Sequence, residues 1–239
     1  MSKRIRFFIG HLSISLLCIT LLFMLMHFIW FIPPLDLATG ILPIFFMLVI
    51  IDLFIGPMFG FLVYKEGKKT LKLDLSVVIL LQVCSFAYGA HIIFEARPVW
   101  IVYNSDKYDL VQNFEVIKSD INLIQPAFRN ESLFYPQYAA IKPLPNSERF
   151  VELQSGMSVV QKPERYIDIS SAKFKIQEKS KNLSSLHLYN DNNLVERILK
   201  KYPEATAFVP LKANAVDMTV LINKEKGEVV KIVDLRPWK

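Results

Sequence analysis

Asp52 is the residue whose type and position stand out, because it is an acid in a segment that has no other charge. From Ile41 to Tyr64 the chain has no second Asp, Glu, Lys or Arg. An Asp at mid-bilayer costs about 2.5–3.5 kcal/mol on insertion scales, so it should face protein or water. Three roles are open to it: a polar cluster that fixes helix register, a site for a partner's transmembrane helix, or a proton or ion relay. A single carboxylate among three helices makes a poor relay.

Small and polar residues repeat at helical spacing around Asp52. Gly56 and Gly60 follow it at steps of four, so the three share one helix face, and the two glycines form a G-x-x-x-G pair that lets another backbone approach. Pro57 between them predicts a kink. At 1.5 Å per residue, polar residues of all three apolar segments, Thr20 included, reach one depth. The candidate residues for binding a partner helix are Asp52, Gly56, Pro57, Gly60, Gln82, Ser85 and Gly89.

Three long apolar stretches carry these residues. A bilayer core about 30 Å thick needs roughly 20 apolar residues in a helix. The sequence therefore predicts spans at about 7–32, 41–64 and 75–95, within a transmembrane domain of residues 1–97. The first apolar run is longer than that of a signal peptide, so we expect it to be retained. Residues 98–239 are charged and mixed, and they predict a soluble α+β domain.

Basic residues predict the orientation of the spans. Lys3, Arg4 and Arg6 precede span one, and four lysines lie in the stretch 65–72, whereas 33–40 has no basic residue. Because Lys and Arg mark the cytoplasmic side of short loops, we expect a cytoplasmic N-terminus and a periplasmic C-terminal domain. The protein should thus be a multi-pass protein of a bacterial inner membrane.

The soluble half predicts five strands and two helices. The strands are expected at 99–103, 114–117, 207–209, 218–222 and 229–233, with the last two joined as a hairpin by the turn 224–227. The helices are expected at 166–181 and 193–202. A proline-rich stretch from about 126 to 145 predicts loop with short helices.

The soluble half offers little chemistry. Its single histidine, His187, has no metal-ligand neighbour at usable spacing, and acids such as Asp168 and Glu178 form no obvious acid–base pair. No nucleophile elbow, phosphate loop or zinc-protease motif is present. The net charge is +6, but basic residues are scattered, as at Lys200-Lys201, rather than clustered as nucleic-acid binding requires. We expect no enzyme activity, no cofactor or metal, and no nucleic-acid partner.

The membrane exit has its own sequence signal. Pro98 should end the third helix, since it lacks an N–H and biases the residue before it toward extended geometry. Arg97 could then reach lipid headgroups or pair with a carboxylate. Alternatively, Arg97-Pro98 fixes the angle between the helix bundle and the first strand. A partner protein with a membrane helix and a soluble head could then be bound at both parts. Trp30 and Trp100 are placed as an interfacial aromatic belt would be.

A series of residues running from span two to the exit resembles the TfpX/TfpZ family of type IV pilin accessory proteins. The resemblance covers residues 1–120, with a looser echo at the C-terminus. It rests on Asp52, Gly56-Pro57, Tyr64-Lys65, the run from Gly67 to Leu75, Gln82, Tyr88-Gly89, Ala96-Arg97-Pro98-Val99 and Pro237-Trp238.

The resemblance implies a non-enzymatic inner-membrane accessory factor or chaperone. Its expected partners are a type IV pilin, above all the major pilin, and other membrane proteins of pilus assembly. It would support or modulate pilin stability and pilus assembly by holding the pilin's helix and head. The alternative is a membrane-anchored sensor or regulatory protein that reads a periplasmic ligand or partner.

Overall fold

The computed structural model describes residues 1–117, 120–143 and 158–238. The chain divides into two compact units. The helix unit contains Met1–Ile32 and Ile41–Ala96, and the sheet unit contains Pro33–Gly40 together with the chain from Arg97 onward. The short segment 33–40 thus belongs to the sheet unit, although it connects two long helices.

The helix unit consists of three long apolar helices: α1 (Lys3–Trp30), α3 (Leu42–Val63) and α4 (Leu71–Glu95). Each is long and apolar enough to cross a membrane, which confirms the three predicted segments at the level of length and composition. Pro43 lies in the first turn of α3, where its missing N–H costs little.

Two of these helices contain a π-helical turn. In α1 it covers Met26–Trp30, and in α3 it covers Ile51–Ile55. The second turn contains Asp52 and ends next to Pro57, with the Gly56 amide donating to the carbonyl of Ile51. A proline inside a helix removes a hydrogen bond and crowds the carbonyl four residues back. The π turn lies within the helix just before Pro57, and such turns are found frequently at functional sites. The kink predicted at Pro57 stays a prediction.

The sheet unit contains a seven-stranded mixed sheet in the order β4-β3-β1-β2-β5-β6-β7. The pairs β1–β3 and β2–β5 are parallel, and the other neighbours are antiparallel. The strands are β1 (Pro98–Asn104), β2 (Lys107–Gln112), β3 (Gln137–Ile141), β4 (Tyr166–Ile167), β5 (Ala207–Lys212), β6 (Met218–Asn223) and β7 (Glu228–Val233).

Short helices cover both faces of this sheet. The α-helices are α2 (Leu35–Thr39), α5 (Lys173–Lys179) and α6 (Asn192–Leu199), with 3-10 turns between the strands. One face packs against Leu35 and Ala38 of α2 and Ile176 of α5. The opposite face packs against the 3-10 turns at Ile124–Phe128 and Val159–Gln161 beside β1–β4, and against Val195 of α6 beside β5–β7.

Strand predictions hold where the sequence is apolar and fail where it is mixed. Strands are confirmed at 99–103, 207–209, 218–222 and 229–233, and the turn 224–227 forms the predicted hairpin. The strand predicted at 114–117 is wrong: residues Asn113–Glu115 form a 3-10 helix, and the second strand is β2, just before it. Strand β3 lies in the stretch predicted as loop, of which residues 144 and 145 fall outside the described residues.

The helix predictions are confirmed in part. The predicted helix at 193–202 is present as α6, capped by the Asp191 side chain, which accepts from the Leu194 amide. The helix predicted at 166–181 is wrong over its first half, where β4 and a 3-10 turn at Ile169–Ala172 precede α5. Tyr166 is fully buried between Trp100 and Phe128, so tertiary packing decides the strand there.

Candidate functional site

A polar cluster ties the three long helices together. The side-chain amide of Gln82 on α4 donates to Ser15 Oγ on α1 at 2.8 Å and to the backbone oxygen of Asp52 on α3 at 2.9 Å. A glutamine amide has two N–H donors, so one side chain can satisfy an acceptor on each neighbouring helix. In an apolar environment such bonds fix helix register.

Asp52 lies at this cluster and is 2% exposed. Neither of its carboxylate oxygens accepts a well-formed hydrogen bond from any residue that the structure describes. Burying a carboxyl group without a well-formed hydrogen bond is costly. An ionisable residue inside an apolar helix bundle is a candidate for function.

The helix faces at the predicted glycines are occupied by this chain's own side chains. Gly56 lies against Gln82, and a Cβ on Gly60 would lie 3.0 Å from the Phe7 ring and 3.1 Å from the His11 ring. A Cβ on Gly89 would lie 2.6 Å from a methyl group of Leu48. These contacts favour the register-fixing alternative. Binding of a partner helix by these residues, Pro57 (buried) and Ser85 (half-buried) stays a prediction.

Thr20 is not part of the cluster. Its side chain is exposed and its hydroxyl donates to the Leu16 carbonyl of its own helix at 2.7 Å. The sequence places Thr20 only at the depth of Asp52, and in the structure Ser15 is the α1 residue that bonds with Gln82. A depth comparison counts residues along the axis but does not fix which face a residue occupies, and Thr20 lies on the exposed face.

The chain leaves helix α4 before Pro98, as the sequence predicts. Helix α4 ends at Glu95, and Pro98 is the first residue of β1, where it pairs with Gln112. The Arg97 carbonyl accepts from the Asn113 amide at 2.9 Å, so the residue after the end of β2 is bonded beside the exit. Arg97 is 4% exposed, which favours its enclosure by protein over a position among headgroups.

The end of β2 is bonded to the loop after β5. The Asn214 side chain donates to Gln112 Oε1 at 2.6 Å and to Glu115 Oε1 at 3.0 Å. Glu115 Oε2 in turn accepts from the Gln112 amide at 2.8 Å. This network fixes the sheet at the same end as Pro98, since Gln112 and Pro98 are paired.

The segment 33–40 docks onto the same loop. The Ala38 carbonyl accepts from the amides of Ala215 at 3.0 Å and Val216 at 3.3 Å. Leu35 is 5% exposed, and Ala38 is fully buried. Gly40 has a φ of +70°, and a Cβ on it would lie 2.8 Å from the Ala215 Cβ. The sequence predicts only a loop for this segment, because its contacts are with residues about 180 positions away in the chain.

The C-terminal residues close this end of the sheet unit. Asp217 accepts from the Trp238 indole N–H at 2.7 Å and from the Ala213 amide at 2.9 Å. Arg236 donates to the Asp217 carbonyl and to the Asp234 carboxylate. Trp238, which belongs to the C-terminal echo of the resemblance, therefore fixes the loop onto which residues 33–40 dock.

A small cavity of about 120 Å³ lies beside this end of the sheet. Burial raises the pKa of the Asp109 carboxyl, which lines it, although Lys107 and Lys212 lower that pKa in part. Glu115 and Asn214 also line it but are engaged with each other. Pockets for small ligands are generally about 300–1,000 Å³, so this cavity gives little support to the ligand-sensor alternative.

Comparisons with known proteins extend over both units. Two proteins of Dichelobacter nodosus, named fimbrial assembly proteins of serogroups I and E1, are 26% and 25% identical to this chain over 227 residues. The chain is similar to fimbrial assembly proteins. Each alignment covers 90% of this chain and 88% of the relative. The fimbrial assembly protein of serogroups C1 and C2 is 28% identical over 113 residues, which is 46% of this chain and 86% of that protein.

No family model matches the chain. No solved structure matches it significantly. The homologues support the pilus-assembly part of the resemblance, whereas the specific TfpX/TfpZ name stays a prediction.

Proposed function

We propose that this protein is an inner-membrane accessory factor for type IV pilus assembly that holds a pilin before the pilin enters the pilus. The observation that carries the proposal is that similarity to fimbrial assembly proteins covers 90% of the chain, which includes both the helix unit and the sheet unit. The role is non-enzymatic: the protein binds and positions a partner.

The described geometry suits a partner that has both an apolar helix and a globular head, as the resemblance implies for a pilin. In α4, whose 25 residues are all described, Ile93 is the one buried residue. Leu80, Leu81 and Tyr88 are 62–69% exposed on this helix. We expect the pilin helix to pack there, because the faces at Gly56 and Gly60 are already occupied by the chain's own side chains.

The orientation is part of the proposal. The Lys and Arg distribution supports a cytoplasmic N-terminus and a periplasmic sheet unit. Docking of residues 33–40 within the sheet unit supports it further, because this segment and the C-terminal chain must then lie on one side of the membrane. Reporter fusions after Lys69 and at the C-terminus should report opposite sides.

The exit residues provide a variant that separates function from insertion. Pro98→Ala frees the backbone at the first residue of β1 but leaves the apolar helices unchanged. We expect normal membrane levels of the variant with reduced pilin and fewer pili. Normal pilin levels and pilus numbers would mean that Pro98 only ends a helix.

Deletion of the gene tests the proposed function. Pilin abundance, pilin half-life and surface pili are measured in the deletion strain, which is then complemented with the gene for the full chain or for Pro98→Ala. We expect the deletion to change pilin stability or piliation and the full chain to restore it. Unchanged pilin and pili would overturn the proposal.

A further inference from the structure

The sheet unit has a defined end at which the chain enters and leaves it. Strand β1 begins there, immediately after Ala96, and β2 ends there opposite Pro98. Strand β5 runs parallel to β2, so the loop 213–217 after β5 lies at the same end, and residues 33–40 dock onto that loop. All three junctions with the helix unit, at 32–33, 40–41 and 96–97, therefore belong to this end, which we call the exit end.

Large apolar side chains are exposed at the exit end. Phe114 follows Asn113, whose amide donates to the Arg97 carbonyl, and it is 59% exposed. Strand β3 is parallel to β1, with Gln137 beside Trp100, so the residues just before Gln137 lie at the exit end as well. The exit-end belt consists of Leu37, Phe114, Leu133, Phe134 and Tyr135, all 41–59% exposed.

Trp100, expected from the sequence to lie in an interfacial belt, is 1% exposed in the core of the sheet unit. The belt residues are instead aromatic and aliphatic side chains of the connecting segments. Large exposed apolar side chains that share one end of a domain are candidates for contact with a protein partner or a membrane.

We propose that the exit-end belt inserts into the interfacial layer of the bilayer's outer leaflet, so that the sheet unit lies on the membrane surface. The covalent junctions argue for lipid as the occupant. Arg97 lies two residues after Glu95, the last residue of α4. The Asn113 amide donates to the Arg97 carbonyl at 2.9 Å, and Phe114 is the next residue after Asn113. Roughly 10 Å of chain therefore separates Phe114 from the helix end.

The polar layer on each side of the hydrocarbon core is about 5–7 Å thick. The path of roughly 10 Å is measured along the chain and is an upper limit on the distance from the helix end. Side chains of the belt therefore lie within reach of headgroup depth. Tyr and other amphipathic or apolar side chains are stabilised there. None of the five belt residues is basic, so insertion should depend on buried apolar area and not on anionic lipid. The inference rests on α1, α3 and α4 spanning the membrane, and it does not depend on the identity of the protein partner.

The opposite end of the sheet unit supplies a matched control. Phe174 on α5 is 77% exposed. Its neighbour Lys173 packs against Gly227, and Gln177 donates to the carbonyls of Lys224 and Glu225 in the β6–β7 turn. Because β6 begins at the exit end, this turn and Phe174 lie at the far end.

The test uses the full chain in phosphatidylcholine vesicles. Cys18 and Cys84 are replaced by Ser, and a single cysteine is introduced as Phe134→Cys or Phe174→Cys and labelled with a polarity-sensitive fluorophore. A third protein keeps only Cys84, which is exposed on α4, as a reporter of bilayer insertion. Lipids that carry a nitroxide near the headgroup quench a label at interfacial depth. Lipids that carry the nitroxide near the end of the acyl chain quench the Cys84 label if α4 spans the bilayer, because Cys84 lies near the middle of α4.

We expect a blue-shifted Phe134→Cys label that loses most of its fluorescence to the nitroxide lipid, and a Phe174→Cys label that loses little. High salt or added anionic lipid should not change this difference. Leu133→Cys provides a second position if Phe134→Cys folds poorly, and it should behave in the same way.

Several outcomes would overturn the proposal. An aqueous, unquenched Phe134→Cys label beside a quenched Cys84 label would show that the belt is not in lipid. A Phe134→Cys label that is blue-shifted but unquenched, and whose shift depends on the protein-to-lipid ratio, would show that a second copy of the chain covers the belt. A blue shift that occurs only after pilin is added would show that the pilin covers it. An unquenched Cys84 label would remove the premise and overturn the proposal as well.

Discussion

Gly40→Ala tests the docking of residues 33–40 onto the sheet unit. Gly40 has φ +70°, so any L-residue there costs about 1–2 kcal/mol in backbone strain. In addition, the new Cβ would lie 2.8 Å from the Ala215 Cβ. Both atoms are attached directly to backbone, so no side-chain rotation relieves the contact and the segment must move away.

The displacement has a calculable consequence. It breaks the two hydrogen bonds that Ala38 accepts from the amides of Ala215 and Val216, which contribute about 0.5–1.5 kcal/mol each. It also exposes part of the Leu35 side chain, which contributes up to about 1.5–3 kcal/mol when fully buried. We therefore expect docking to weaken by about 2–4 kcal/mol beyond the backbone strain, or about 30- to 700-fold in the docking equilibrium.

Gly67→Ala is the matched control. Gly67 also has a positive φ, of +81°, but no atom lies within 4 Å of its virtual Cβ, so it carries the strain without the clash. The assay is hydrogen exchange of the full chain in detergent or nanodiscs, followed at the Ala215 and Val216 amides. Gly40→Ala should lose protection there, and Gly67→Ala should not.

A second substitution completes the cycle. Ala215→Gly removes the opposing methyl, so the double variant Gly40→Ala with Ala215→Gly should recover the part of the protection lost to the clash but not the part lost to strain. Equal exchange at both amides in Gly40→Ala and in the unsubstituted protein would refute the docked position of the segment.

Three further predictions concern the two cores. Gly56→Ala should displace the Gln82 amide from Ser15 and lower the stability of the helix unit by about 1–2 kcal/mol, measured by thermal unfolding in detergent. Tyr166→Phe removes the buried hydroxyl that donates to the Val160 carbonyl, so it should destabilise the sheet unit by about 1–3 kcal/mol. Burial raises the folded-state pKa of Asp109 above the ordinary value of 3.8. The stability that Asp109 contributes is therefore lost as the pH rises through the raised pKa. Asp109→Asn should gain stability relative to the unsubstituted protein as the pH rises above about 4.

The first two of these predictions have a control variant within the chain, and the third has a result that would contradict it. Gly10→Ala, where nothing lies within 4 Å of the added methyl group, should not lower the thermal midpoint, because Ala favours the helix over Gly. Tyr135→Phe, at a 57% exposed position, should not affect the sheet unit. For Asp109→Asn, a stability difference that stays constant across the pH range would show that the carboxyl is not desolvated as described.

Segments with one dominant physical signal could be predicted from the sequence. Three long apolar runs, one of which contains Asp52, predicted the helices α1, α3 and α4. Length and apolarity alone are enough to predict such segments. The β6–β7 hairpin followed from two β-branched runs and a turn containing Gly227, which has φ +63°.

The remaining elements depend on contacts that sequence does not display. In strand β2 the charged residues Lys107 and Asp109 alternate with the buried residues Tyr108 and Leu110. The short apolar pattern is interrupted by charges, so the sequence did not indicate a core strand. Strand β3 is only five residues long and is stabilised by parallel pairing with β1, which is set by tertiary structure. These two strands were therefore missed.

The sequence predicted which polar residues of α3 and α4 form the candidate site, but not which residue of α1 bonds with them. Gln82 and Asp52 were placed at one depth correctly, whereas Ser15 was missed in favour of Thr20, because axial rise does not determine helix rotation. Asn214, Asp217 and the docked segment 33–40 had no sequence signal at all, since each makes its contacts across long distances in the chain.

The most direct test of the proposed function is crosslinking in the native membrane. A photoreactive amino acid replaces Tyr88 on the exposed face of α4 in cells that produce pili, and the crosslinked partners are identified without bias by mass spectrometry; a strain without pilin is the control. The account predicts recovery of the pilin, crosslinked through its apolar helix. Efficient crosslinks to other proteins with no pilin among them would contradict it.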